Sequence, residues 1–232
     1  GEEPSADLSR KYGDAFPESY KEAFTASTAV ADLRRLEALP DDGFDVNLYL
    51  AEDAEPGERR FKIYRTGAPL SLSEILPVLQ RMGVEVVDEH PYEIERADSP
   101  AYIYDFGLRY NPTGSVSPDE VREQFQEAFV AAWRAEAEVD GFNALVLLAG
   151  LRWREVAVLR AYAKYLRQAG VSLSQDYIEQ CMTANLAIAR LLVRLFSARL
   201  DPAVDARKPG SNGRDELAAA IVEEIEGALD QV

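Results

Sequence analysis

An α+β fold is what the sequence predicts: a four-stranded antiparallel sheet with two helices, followed by an all-helical half. Three observations predict it. Four short segments before residue 111 alternate apolar and polar side chains, the period of half-buried strands. Proline, glycine and serine then collect in "NPTGSVSPDE" at residues 111–120, the marks of a boundary. Beyond it the apolar residues recur every three or four positions, and no strand alternation returns.

Taken in order, "ESYKEAFTASTAVADLRRLEAL" spaces Tyr20, Phe24, Val30, Leu33, Leu36 and Leu39 as one helix from about Glu18 to Leu39. Pro17 suits its start. "FDVNLYLAE" turns Phe44, Val46, Leu48 and Leu50 one way, and "RFKIYRT" turns Phe61 and Ile63 likewise, with "EDAEPGERR" as the turn of a hairpin. Ser71 and Glu74 have the spacing of a capping box for a helix that runs through Pro77 to Gly83. "VEVVDEHPYEIE" and "AYIYDFGLRY" supply two more strands, and Pro91 assigns the first of them to an edge or a bulge. One face of the sheet then needs helices to cover it. In the second half the helices expected are Asp119 to Val139, Asn143 to Gln168, Ser174 to Met182, Ala184 to Leu200 and Glu216 to Leu229. Residues 1–15 read as a disordered or tag-derived tail, 16–112 as the sheet domain and 113–232 as the helical domain.

Composition narrows the function classes. With 41 acidic against 25 basic residues, a net charge of −16 repels a nucleic-acid backbone, so no nucleic-acid partner is expected. No apolar run approaches the length of a membrane span, and the polar start has no signal-peptide pattern, so no membrane partner is expected either. The single cysteine, Cys181, cannot close a disulfide within the chain and fits a reducing, cytoplasmic setting.

Nothing assembles into a catalytic, cofactor or metal site. His90 is the only histidine, set in a strand between Glu89 and Pro91, and reads as structural. Metal-ligand spacings and phosphate-cradling glycine patterns are absent from the sequence. Glu136, Glu138 and Asp140 read as a helix end and turn rather than as paired catalytic acids. The one unusual surface is cationic: from Leu151 to Gly170 there are Arg152, Arg154, Arg160, Lys164 and Arg167 against Glu155 alone. Arg160, Lys164 and Arg167 fall at helical steps of four and three, away from an apolar face of Leu148, Leu151, Val158, Leu159, Tyr162, Tyr165 and Leu166. Two readings stand: a solvated face paired with acids of the preceding helix (Glu120, Glu123, Glu127, Glu136, Glu138), or a surface for docking against another domain.

"FPESYKEAFTASTAVADLRRLEAL", "FKIYRTGAPLSLSEILPVLQRMGVEVVDEHPYEI", "YIYDFGL", "EAEVDGFNALVLLAGLRWREVAVLRAYAKYLRQAG" and "IARLLVRLFSARLDP" together resemble the regulatory segment of large bacterial NAD-specific glutamate dehydrogenases, over about residues 16–204. The resemblance implies an ACT-like (ferredoxin-like) sheet domain and a helical domain that leads toward a catalytic core outside this chain. It implies NAD as cofactor of the full-length enzyme only. As partners it implies the catalytic domain of the same polypeptide, an amino-acid effector and a homo-oligomer. The other reading is a free-standing acidic module that senses amino acids or binds proteins. The sequence beyond Val232 separates the two, since a glycine-rich strand–turn–helix there favours the enzyme.

Overall fold

A computed structural model describes residues 11–52, 54–96, 99–110, 121–203 and 213–231. The chain divides into two compact units, Gly1–Gln80 with Val84–Asn111, and Arg81–Gly83 with Pro112–Val232. The boundary stretch 111–120, the polar loop at 204–212 and the first ten residues of the expected tail lie outside the described residues.

In the first unit two helices, α1 (Glu18–Ala23) and α2 (Ala26–Ala38), precede β1 (Phe44–Tyr49) and β2 (Glu58–Thr66). Helix α3 (Leu72–Arg81) then leads to β3 (Glu85–Ile94) and β4 (Ala101–Arg109). The four strands are antiparallel in the order β1-β2-β4-β3, so each hairpin contributes one central and one edge strand. Cross-strand register stacks Leu48, Phe61 and Phe106 in one row and Val46, Ile63 and Tyr104 in the next, all buried on one face. Fully burying side chains of this size stabilises by about 1.5–3 kcal/mol each. On the other face Tyr64, Tyr92, Ile94, Ala101 and Ile103 form a core with Tyr20 of α1 and Leu36 of α2. The sheet is therefore buried on both faces, where the alternation had asked for cover on one. The amide of Leu70, just ahead of α3, donates to the Tyr104 hydroxyl at 2.9 Å and fixes the lead-in of that helix to the opposite face from α2.

Four details depart from the expected elements. The helix expected over 18–39 breaks at Phe24, whose backbone is extended, and restarts at Thr25, whose hydroxyl accepts from the Thr28 amide. Threonine competes for its own local backbone, so it favours a cap over a helix interior. Pro77 is the sixth residue of α3, past the first-turn amides that lack partners anyway, so one intrahelical hydrogen bond is missing there. The tail does not extend to residue 15, because Tyr12 and Ala15 are buried in the core beside Tyr20. Leu50 lies past the end of β1 and is half exposed rather than inward.

The second unit is helical throughout its described residues. Helix α4 (Arg122–Trp133) buries Phe125, Ala128 and Phe129, and ends where Ala135 takes a left-handed φ of 56°. A 3-10 turn, Gly141–Ala144, runs into α5 (Leu145–Ala149). Gly150 then adopts φ 64° and stops that helix, so the expected helix over 143–168 is divided, and α6 (Trp153–Gln168) starts anew. The Glu155 carboxylate accepts from the Arg152 amide at 2.7 Å and closes its first turn. Helices α7 (Gln175–Ala184) and α8 (Leu186–Leu200) follow, and α9 (Gly213–Leu229) packs Ile221 against Leu191 and Ala198 of α8.

Candidate functional site

The most concentrated chemistry of the sheet unit is a buried ionic network that the sequence reading did not single out. Helix α2 turns Asp32, Arg35 and Leu36 toward the sheet, at steps of three and four. Asp32, 3% exposed, accepts from Lys62 Nζ at 2.5 Å, Tyr20 Oη at 2.6 Å and Tyr64 Oη at 2.7 Å. The Lys62 ammonium also lies 3.7 Å from the centre of the Phe24 ring, with the Tyr49 and Tyr20 rings at 5.4 and 5.7 Å. A buried carboxylate with three donors and a buried ammonium faced by aromatic rings satisfy each other's loss of water. Burial, and then the Asp32 carboxylate, push the Tyr20 and Tyr64 phenols well above their ordinary range, so both remain donors. The arrangement ties α2 to β2 through Asp32, Lys62 and Tyr64.

A second network continues along the same face. Arg60 grips the Asp105 carboxylate through Nε and a terminal nitrogen at 3.1 and 2.7 Å and reaches Asp88 at 2.7 Å, while Tyr49 donates to Asp105 at 3.0 Å. A bulge between Val86 and Asp88 shifts β3 against β4 and sets Asp88 opposite Gly107. A Cβ on Gly107 would run into the Asp88 carboxylate, which would have to move from its place beside Arg60. His90 Nε2 is 3.4 Å from Asp88 on an exposed part of this edge strand. His90 belongs to the sheet unit and Cys181 to the helical one. Among the described residues no three His, Cys, Asp or Glu side chains gather in a way that would hold a metal ion.

In the helical unit the structure separates the three cations that the sequence grouped. Arg160 is 4% exposed and faces inward, which removes it from any docking surface. Its guanidinium forms a fork on Asp140, at 2.6 and 2.8 Å, and reaches the Asn143 side-chain oxygen at 3.0 Å. Asp140 in turn caps the 3-10 turn by accepting from the Phe142 amide, and Gln175 of α7 bridges Asp140 and Glu179. Lys164 is exposed and holds the Glu138 carboxylate at 2.6 and 2.7 Å. Arg167 is exposed, with only a 3.5 Å contact to Gln175 among its described hydrogen bonds. The apolar face expected for α6 also divides: Val156, Leu159 and Ala163 are buried with Arg160, whereas Tyr162, Tyr165 and Leu166 face outward. Charge alone misassigns Arg160, since burial of a paired arginine follows from the position of Asp140, twenty residues away in sequence.

The described sheet is entirely antiparallel and lacks the parallel strand–helix–strand crossover whose glycine turn places a pyrophosphate at a helix N-terminus.

Comparison with known proteins matches three family models in chain order: glutamate dehydrogenase helical motif 2 at residues 1–39, the glutamate dehydrogenase ACT3 domain at 43–121, and glutamate dehydrogenase helical motif 3 at 137–202. The curated relatives include the NAD-specific glutamate dehydrogenases of Halomonas elongata (40% identical over 224 residues, 96% of this chain), Mycobacterium tuberculosis (39% over 224 residues, 94%) and Pseudomonas aeruginosa (36% over 235 residues, 100%). The chain spans 14% of the length of each of these relatives.

Proposed function

The chain belongs to the glutamate dehydrogenase family, as a stretch carrying helical motif 2, the ACT3 domain and helical motif 3, and from that premise we propose that it is a non-catalytic regulatory and scaffolding part of an NAD-dependent enzyme. In the complete polypeptide the reaction is the conversion of L-glutamate, NAD and water to 2-oxoglutarate, ammonia and NADH. The observation that carries this reading is the unbroken order of the three motif matches along one chain. NAD and glutamate are bound elsewhere in that polypeptide, in the cytoplasm, and the present residues contribute position rather than chemistry.

The geometry supports such a role at both levels. The networks of Asp32 and Asp105 fix helices and strands as stiff bodies, and stiff bodies transmit displacement between distant parts of a protein. An amino-acid effector, contacts with the catalytic domain and a homo-oligomeric assembly are the partners that such a segment would serve. Within the cation stripe, docking falls to Lys164 and Arg167, which remain on the surface. The test is glutamate-dependent NAD reduction by this chain alone: no turnover is expected, and measurable NADH production overturns the proposal.

A further inference from the structure

The outward face of α6 carries a concave apolar groove of about 520 Å³ shared with α8. It is lined by Ala157, Val158 and Ala161, by the rings of Tyr162, Tyr165 and Phe196, and by Arg154. Tyr162 and Tyr165 are 51% and 65% exposed, and the Tyr162 ring stands edge-on to Phe196 with centroids 6.2 Å apart. Aromatic side chains left in water beside small residues are an interaction surface rather than a core.

Charge says what covers it. In a chain of net charge −16 the groove contains no acidic side chain, and its one ionic residue is Arg154. That guanidinium is exposed, lies 4.1 Å from the Trp153 ring centre and makes no ion pair among the described residues. From Arg154 to Tyr165 the groove runs along three helical turns, about 16 Å at 1.5 Å per residue. The alanines one turn apart let another backbone come close, which suits a helix with apolar residues at steps of three and four. A second copy of this groove would bring Arg154 and the exposed cations of α6 against their own kind, a repulsive pairing.

We propose that the groove between α6 and α8 is the seat of an acidic amphipathic helix of a partner protein, its apolar stripe on Ala157, Ala161, Tyr162 and Tyr165 and a carboxylate on Arg154. The proposal stands apart from the enzyme assignment, since it uses only this surface.

Two synthetic fluorescein-labelled helical peptides of about 18 residues, long enough to populate a helix, test it by fluorescence anisotropy. Both carry leucines at i, i+4, i+7 and i+11, with glutamates in one and lysines in the other at the flanking positions. The glutamate peptide should bind at least about tenfold more tightly than the lysine peptide, Tyr165→Ser should weaken it about tenfold, and Arg154→Glu should invert the preference. Both substituted positions are exposed, so circular dichroism should stay that of the parent. Failure of both peptides to bind, equal binding of the two, or a preference that survives Arg154→Glu overturns the proposal. So does a dimer seen in sedimentation that Tyr165→Ser dissociates, which would give the groove to a second copy.

Discussion

Lys62 and Asp32 show how a central strand tolerates charge. Removing one partner strands the other in the interior, at a cost of about 3–5 kcal/mol. Lys62→Met and Asp32→Asn should each lower the stability of the sheet unit by that order in guanidinium unfolding, and the double variant should lose clearly less than the sum. Strict additivity would contradict the network. The tyrosines add a pH dependence whose sign is fixed. Their folded pKa values lie above the unfolded value of 10.0, so their contribution is complete below about pH 10 and is lost as pH rises beyond it. Unfolding free energies should therefore be flat from pH 8 to about 9.5 and fall as pH rises beyond about 10. A flat curve to pH 11 would contradict it. A hint of this network was legible: Asp32 stands four residues before Leu36, on the apolar stripe of its helix. What the sequence could not show was Lys62 as its partner, because that pairing depends on which face of β2 the helix covers.

At the scale of elements, α6 is anchored from inside by Arg160 and only decorated outside by Lys164. Arg160→Met leaves Asp140 without its guanidinium beneath the turn, and should cost the helical unit about 3–5 kcal/mol. Lys164→Met removes a solvated pair with Glu138 and should cost under about 1 kcal/mol. Denaturant midpoints of the two variants decide it, and equal losses would contradict the inward placement. All four strands and the first hairpin were readable, because alternation in short segments bounded by turn residues has few other solutions. Helix breaks were harder. Thr25 and Gly150 interrupt runs whose apolar spacing passes through them undisturbed, and only the cap at one and the left-handed backbone at the other reveal the stop. The same spacing joined Tyr162 and Tyr165 to the core face, although the face that α6 buries is set by Val156, Leu159, Arg160 and Ala163.

For the molecule as a whole, family membership was legible where mechanism was not. Long collinear stretches carried the resemblance to the dehydrogenases, and the ordered motif matches agree with it. The matches divide the first unit at residue 39, whereas packing unites α1 and α2 with the sheet through Tyr20 and Leu36, so motif and compact body are different partitions of one chain. Contribution by position rather than by chemistry is the claim on which the account rests. Its most direct measurement follows NADH absorbance with saturating glutamate and NAD, for the purified chain beside the full-length enzyme at equal molar concentration. The account predicts steady turnover by the enzyme and a rate indistinguishable from the protein-free blank for the chain. Glutamate-dependent NADH formation by the chain itself would contradict it.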